Sequence, residues 1–176
     1  MKLKECLKGI VDNRGKNPIY LESAKYPVID NVYIKNNLYP NLSEINRYIN
    51  EDTYNNFLRG YVHRNMPIMT LVGNGIGNVT LVPEDNAVIV QNTIGFLVDE
   101  KKLNEIYLYY WFLTKNAELR AFNRGSGQPS IKKNDVENME IILPQIEVQN
   151  KIVKILLSID EKINLNNKTN DNLLVA

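Results

Sequence analysis

Along the first hundred residues apolar positions come in short runs bounded by turn residues, and helical spacing takes over only afterwards. β-type runs cover Pro18 to Leu21 and Tyr26 to Ile34, where Val28, Val32 and Ile34 are β-branched and Pro27 and the Asn36-Asn37 pair punctuate. From Ser43 the pattern changes. Ser43 suits an N-cap, and Ile45, Tyr48, Ile49 and then Tyr54 to Leu58 follow at helical or mixed spacing as far as Gly60, which predicts a short, broken helix. Between 67 and 98 the chain reads strand, turn, strand: PIMTLV, GNGIG, NVTLV, PEDN, AVIV, NTIGFLV. No helix-length segment separates these runs, so they predict an antiparallel meander or small curled barrel rather than βαβ units.

From Lys102 to Asn123, Leu103, Ile106, Tyr107, Tyr110, Leu113, Ala117 and Ala121 share one face at mostly three- and four-residue steps, and Gly125 follows as a stop, predicting one amphipathic helix. A polar loop, GSGQPS, leads to a short helical or turn segment and then to MEIILP, a further strand closed by Pro144. Beyond Gln145 the steps become 3, 4, 3, 4: Gln149, Ile152, Leu156, Ile159, Ile163, Asn166, Asn170 and Leu173 form a heptad seam, widened by Val148 and Ile155. A helix of about 30 residues is roughly 45 Å long, more than a small domain needs as cover. The expectation is an α+β chain: a curled, mostly antiparallel sheet or barrel-like domain with an amphipathic helix over 1–144, and a long coiled-coil-type helix over 145–176.

Charge narrows the partners. Lys+Arg is 21 against 20 Asp+Glu, so the net charge of +1 gives no global basic field, and any binding of a polyanion must be local. The opening MKLKECLKGIVDNRGK has no apolar stretch of signal length and no segment approaches a membrane span, which predicts a cytoplasmic protein without a membrane partner. Cys6 and His63 are each the sole residue of their type, leaving no material for a disulfide framework or a Cys/His metal site; no metal and no cofactor is expected. The 26 Asn and 10 Tyr supply groups that hydrogen-bond or stack without charge, which suits readout of polar edges but also fits compositional bias.

Motifs of catalysis are weak. Gly73-Asn-Gly-Ile-Gly77 is followed by β-branched residues instead of the helix a phosphate loop must open, so it predicts a turn between strands. Ser130-Ile-Lys-Lys133 has the Ser-x-x-Lys spacing of acyl-transfer enzymes without their companion motifs. Asp30, Glu51, Asp52, Asp85, Asp99 and Glu100 show no spacing that would set an acid/base pair or a metal. The segment from Lys115 to Lys133 differs: Lys115, Arg120, Arg124, Lys132 and Lys133 stand against Glu118 alone, a local excess of four cations. Between the basic flanks lie Gly125, Ser126, Gly127, Gln128 and Ser130, and a Gln carboxamide can bridge N6 and N7 of adenine. A helix C-cap followed by a loop with solvated lysines explains the same residues. Arg14 and Lys16 beside Gly15 form a second, smaller basic group.

FNRGSGQPSIKKNDVENMEIILPQIEVQNKIVKILLSIDEKINLNNKTNDNL resembles the end of a target recognition domain, and the long helix after it, in the specificity (S) subunit of type I restriction-modification systems. The matching features are the Gly-Ser-Gly-Gln-Pro-x-Ile loop (Gly125 to Ile131), the Ile-Ile-Leu-Pro run (Ile141 to Pro144) and the Glu-x-Gln-x-x-Ile helix start (Glu147, Gln149, Ile152). The Leu-x-x-Ile-Asp-x-x-Ile-x-x-Asn run (Leu156, Ile159, Asp160, Ile163, Asn166) completes them. Upstream, Gly73 to Gly77 and Tyr107 to Trp111 are similar too.

The resemblance implies a non-catalytic subunit that holds double-stranded DNA through sheet and loops and docks methyltransferase (M) subunits, with the restriction (R) subunit as a further partner, on its long helix. Such subunits usually carry two recognition domains and two helices, each domain reading half of a bipartite site, whereas this chain has one of each. An unmated seam then predicts a homodimer through Ile152, Leu156, Ile159, Ile163, Asn166, Asn170 and Leu173, with a fragment of a longer subunit as the competing explanation. DNA contact is expected from Arg124, Ser126, Gln128, Lys132 and Lys133, and from Arg14, Lys16 and Asn74. Alternatively, Gly125 to Ile131 links helix to strand and the preceding β-region reads DNA. A different class of function stays open: a protein-interaction module whose helix docks a partner and whose globular part never meets DNA.

Overall fold

The computed structural model describes residues 1–124 and 127–174, with side chains throughout except at 168 and 171–174. Among the described residues seven strands and five α-helices follow in order: β1 (Leu7–Asp12), β2 (Tyr26–Ile29), β3 (Tyr48–Ile49), α1 (Glu51–Phe57), β4 (Pro67–Thr70), β5 (Val79–Leu81), β6 (Val88–Ile89), β7 (Thr93–Val98), α2 (Glu105–Thr114), α3 (Asn116–Ala121), α4 (Lys133–Glu137) and α5 (Ile146–Leu174). The chain is α+β.

The strands make two small sheets. β1-β7-β4-β5 is antiparallel throughout, and β3-β2-β6 pairs β2 with β3 antiparallel and with β6 parallel. The expected meander therefore divides at β6: β4, β5 and β7 stay together, while Val88 and Ile89 cross to pair with Val28 and Ile29. Both faces of the larger sheet are covered, which is why its strands are nearly continuous apolar runs. Met69, Ile94, Phe96 and Val98 face a core completed by Leu108, Tyr109 and Phe112 of α2, with the Phe96 and Phe112 rings 4.8 Å apart. Ile68 and Leu97 face the other way, toward Ile29, Met66, Val82 and Ile89.

Several local expectations are corrected. Tyr26 to Ile34 is strand only as far as Ile29, and a single helical turn follows over Asn31–Tyr33, its N–H at Asn31 donating to the Asp30 carboxylate at 2.7 Å. Of Pro18 to Leu21 only Leu21 pairs, in an isolated bridge to Tyr48. Ser43 is not a cap. Asn41 accepts from the Ser43 N–H at 3.2 Å to start a one-turn helix, and Asn50 accepts from the Thr53 N–H at 2.9 Å to start α1, each carboxamide satisfying a donor that the helix start orphans. MEIILP is not a strand either: Met139 and Ile141 clamp the N-terminus, with Leu3 N–H donating to Met139 O and Ile141 N–H to Met1 O, both at 2.9 Å.

The helix expected over 102–123 breaks at Lys115, and the break lets α3 turn so that Leu119 packs under Gly77. Its buried face is Leu108, Tyr109 and Phe112 rather than the one expected, because α2 is apolar on two sides. The second side, with Tyr107, Tyr110 and Trp111, meets α5, which runs alongside α2 in the same direction: Gln149 bonds near Asn104, and Asp160 near Tyr110. At roughly 1.5 Å per residue the 29 residues of α5 extend about 44 Å, well past the end of α2.

Candidate nucleic-acid interface

Backbone pairing brings three separated loops to one end of the larger sheet. Asp12 ends β1 opposite Ile94. Next along the same end, Leu71 N–H donates to Asn92 O at 2.8 Å, and Ile131 N–H donates to Leu71 O at 2.8 Å. Val72 and Ser130 form a bridge, and Gly73 N–H donates to Pro129 O at 2.9 Å. The turn after β1, the glycine turn after β4 and the loop before α4 thus lie side by side, although 61 residues separate Asp12 from Gly73.

The glycine run is the turn between strands that its context predicts. Gly77 N–H donates to Thr70 O at 2.9 Å, and Gly73, Gly75 and Gly77 all have φ between +75° and +92°, the region where a side chain is strained. A Cβ at Gly77 would stand 3.0 Å from Leu119 Cβ, so glycine permits the close approach of α3. Beside this turn a shallow hollow of about 290 Å³ is lined by Gly73, Asn74, Arg120, Asn123 and Pro129.

The predicted cations are not equivalent. Arg14 is held in a fork by Asp12, Nε to Oδ1 at 2.8 Å and Nη2 to Oδ2 at 2.6 Å. Those bonds, and more weakly the Lys133 ammonium, push the Asp12 carboxyl below the usual range. Arg124 reaches Asp135 of α4 at 3.2 Å. Lys16 lies over the Phe57 ring, 4.5 Å from its centre. Lys132, exposed, and Lys133, half-buried, start α4 without an ion-pair partner among the described residues. Gln128 and Asn74 are exposed at the same end; Ser126 lies outside the described residues. Arg14, Lys16, Asn74, Arg124, Gln128, Lys132 and Lys133 therefore all stand on or beside the loops at one end of the larger sheet, so that two basic groups separate in the sequence share that end.

The sequence reasoning missed two uncharged contributors there. Asn31, in the turn after β2, presents its carboxamide to Gly73, and Gln91, at φ +52°, donates to Asn17 Oδ1 across the same end. No local pattern marks either.

Elsewhere, polar side chains are tied to their neighbours. His63 Nε2 lies 2.7 Å from Glu105 Oε1, tying the segment before β4 to α2; burial pushes the Glu105 carboxyl up, against the pull of the imidazole. Ser130 N–H bonds the Asn123 side chain at 3.0 Å, in keeping with a loop bridge rather than an acyl-transfer nucleophile. Among the described residues, no group of three His, Cys, Asp or Glu could hold a metal ion, and no helix is long and apolar enough to cross a membrane.

The seam on α5 is used in two ways. Gln149 is fully buried: its Oε1 accepts from Asn104 N–H at 3.0 Å, and its Nε2 donates to Lys102 O at 2.8 Å and Pro144 O at 2.9 Å. Ile152 and Leu156 are half-buried beside Tyr107, Tyr110 and Trp111, so the seam is not wholly unmated within the chain. Ile155, Ile159 and Ile163 are 61%, 49% and 50% exposed, and Asn166 and Asn170 are exposed. Leu173 lies where side chains are not described.

The fold is shared with part of several solved chains. It superposes on a chain from a type I R-M system whose complex assembly and conformational transition have been analysed (TM-score 0.71, 16% identity, 98% of this chain and 40% of that one) and on the S subunit from M. genitalium (0.67, 15%, 93% and 39%). It also superposes on the HsdS subunit of Thermoanaerobacter tengcongensis (0.66, 16%, 96% and 38%). In sequence it is 26% identical over 160 residues to the type I restriction enzyme MjaVIII specificity subunit of Methanocaldococcus jannaschii, covering 88% of this chain and 35% of that protein. Residues 3–174 match the type I restriction modification DNA specificity domain, and the chain belongs to that family. It spans well under half the length of these relatives.

Proposed function

We propose that this chain is a non-catalytic DNA-reading unit of a type I restriction-modification complex, with duplex DNA lying across the loop-bearing end of the larger sheet. The observation that carries the reading is the convergence of the turn after β1, the glycine turn and the loop before α4, which joins two basic groups with a set of exposed carboxamides. Phosphates would meet Lys132, Lys133, Arg14, Lys16 and Arg124, and base edges would meet Gln128 and Asn74. The globular part, 1–144, is the recognition domain of this proposal, and 145–176 is an arm for methyltransferase subunits, with the restriction subunit as a further partner.

We assign the exposed stripe of Ile155, Ile159 and Ile163 to a second copy of this arm, giving a two-fold homodimer that reads a bipartite site; this isologous pairing is supported by apolar side chains left open beyond the α2 contact. Binding of labelled duplex at several salt concentrations tests the DNA reading: affinity should fall steeply with salt, whereas undetectable binding, with or without an M subunit, would overturn it. The second reading, a protein-docking module, is favoured by Arg14 and Arg124 being tied to acids of the same chain. It expects M-subunit binding that duplex DNA does not alter.

A further inference from the structure

Two carboxamides that are 97 residues apart in the chain meet at Gly73. A Cβ built on Gly73 would stand 3.3 Å from Asn31 Nδ2 and 3.9 Å from Gln128 Nε2, so both side chains close on the same point above the glycine turn. Among the described residues neither carboxamide has a hydrogen-bond partner, although each carries two donors and an acceptor. Both are mounted on fixed backbone. Asn31 follows Asp30, a buried carboxylate that holds the Asn31 N–H at 2.7 Å and the Arg47 guanidinium at 2.8 Å. Gln128 precedes Pro129, whose carbonyl accepts from Gly73 N–H at 2.9 Å. Positioned polar groups with unused bonding capacity, one of them on the loop that leads to Lys132 and Lys133, are what direct readout of base edges needs.

We propose that Asn31 and Gln128 act together as a base-reading pair, each able to bridge the N6 and N7 of an adenine, and that their closeness at Gly73 directs them to the same or to neighbouring base pairs. This rests on the reading that the loop-bearing end of the sheet meets DNA. Asn31 is then a specificity-determining residue contributed by the β-region, and Gly73 is the position whose missing side chain leaves room for the pair.

Selection of bound duplexes from a random library, using the full chain, tests the inference. The native protein enriches a motif, and Gln128→Ala and Asn31→Ala each lose preference, by roughly ten-fold or more, at the same or adjacent positions, with the rest of the motif retained. Asn31→Asp, which is isosteric and exchanges the amide donor for an acceptor, moves that preference from adenine toward cytosine. Gln128 is exposed, so its variant cannot fail merely by unfolding. If the native chain enriches a motif and all three variants enrich it unchanged, the pair is not the reader, while the DNA interface stands. If the native chain shows neither salt-dependent duplex binding nor enrichment, the DNA reading itself falls.

Discussion

The Tyr110 hydroxyl donates to the Asp160 carboxylate at 2.6 Å, joining the side of α2 that faces away from the sheet to the middle of α5. Burial and the neighbouring carboxylate both push the Tyr110 hydroxyl up, so it stays a donor across the physiological range. The bond lies near the point where the helix leaves the domain, since residues 161–167 just after Asp160 are all exposed. Tyr110→Phe keeps the ring against Ile152 and Leu156 and removes only the bond. We expect a loss of about 1 kcal/mol in urea unfolding, together with faster amide exchange in α5 beyond residue 156, because one partly exposed charged hydrogen bond contributes that order of energy.

Gln149 makes a sharper prediction. Its three bonds satisfy the Asn104 N–H and the carbonyls of Lys102 and Pro144 in a site with no access to water. Gln149→Ala removes the partner of all three part-buried backbone groups and opens a cavity where the fully buried Gln149 side chain sits at the foot of α5. The expected cost is roughly 3 kcal/mol or more, read as a drop in the urea midpoint. Gln145→Ala, four residues earlier and exposed, should change stability by less than about 0.5 kcal/mol.

How much of this was legible in the sequence follows from the range of each signal. The runs that became β4, β5 and β7, the glycine turn and the start of a long helix near residue 145 are local patterns, and all are present in the structure. The face of α2 was misread because the residues at helical spacing include both sides: Leu108, Tyr109 and Phe112 go to the sheet, and Tyr107, Tyr110 and Trp111 go to α5. One periodicity cannot separate two apolar stripes with different destinations. Ser43 is not the cap because Asn41, Ser43, Asn46 and Asn50, all with cap-forming side chains, lie within ten positions and only packing selects among them. At the candidate site, the charge-rich loop was visible as composition, but Asn31 reaches it only through the tertiary fold, with nothing in its neighbours to mark it.

Asp12 predicts the acid response of the β1 turn. Its folded pKa is below the usual aspartate value of about 3.9, first through the hydrogen bonds from Arg14. Folding therefore favours the ionised form, so the stabilisation is complete above about pH 3.9 and is lost as pH falls through the lower, folded value. Asp12→Asn should lower stability at neutral pH and flatten the acid limb of the stability curve below about pH 4. An unchanged acid limb in the variant would show that the Arg14 fork does not form in solution.

The free and tied cations at the candidate interface should respond differently to substitution. Lys132→Ala and Lys133→Ala remove cations that have no ion-pair partner among the described residues, and each should weaken binding to every duplex alike and reduce the salt slope by about 1. Arg124 is partly neutralised by Asp135, 3.2 Å away. Asp135→Asn frees it and removes a negative charge from the path of the phosphates, so binding should tighten and the salt slope steepen. Titrations of one duplex at four or five salt concentrations measure all three variants, and equal slopes throughout would move the phosphate contacts elsewhere.

Dimerisation through α5 is best tested at Ile159. The periodicity alone puts Leu156 and Ile159 on the same seam, but the fold separates them: Leu156 is half-buried against Tyr110 and Trp111 of its own chain, whereas Ile159 is 49% exposed. A charge at Leu156 would damage the α2–α5 contact and confuse loss of pairing with loss of folding. Ile159→Glu places its charge in the open stripe with Ile155 and Ile163, where a two-fold partner would bring a second copy of the same stripe to face it. Sedimentation equilibrium at micromolar concentration should give a dimer for the native chain and a monomer for Ile159→Glu, with the urea midpoint of the monomeric unit within about 0.5 kcal/mol of stability. A native monomer, or a dimer that survives Ile159→Glu, would exclude the stripe as the contact between copies.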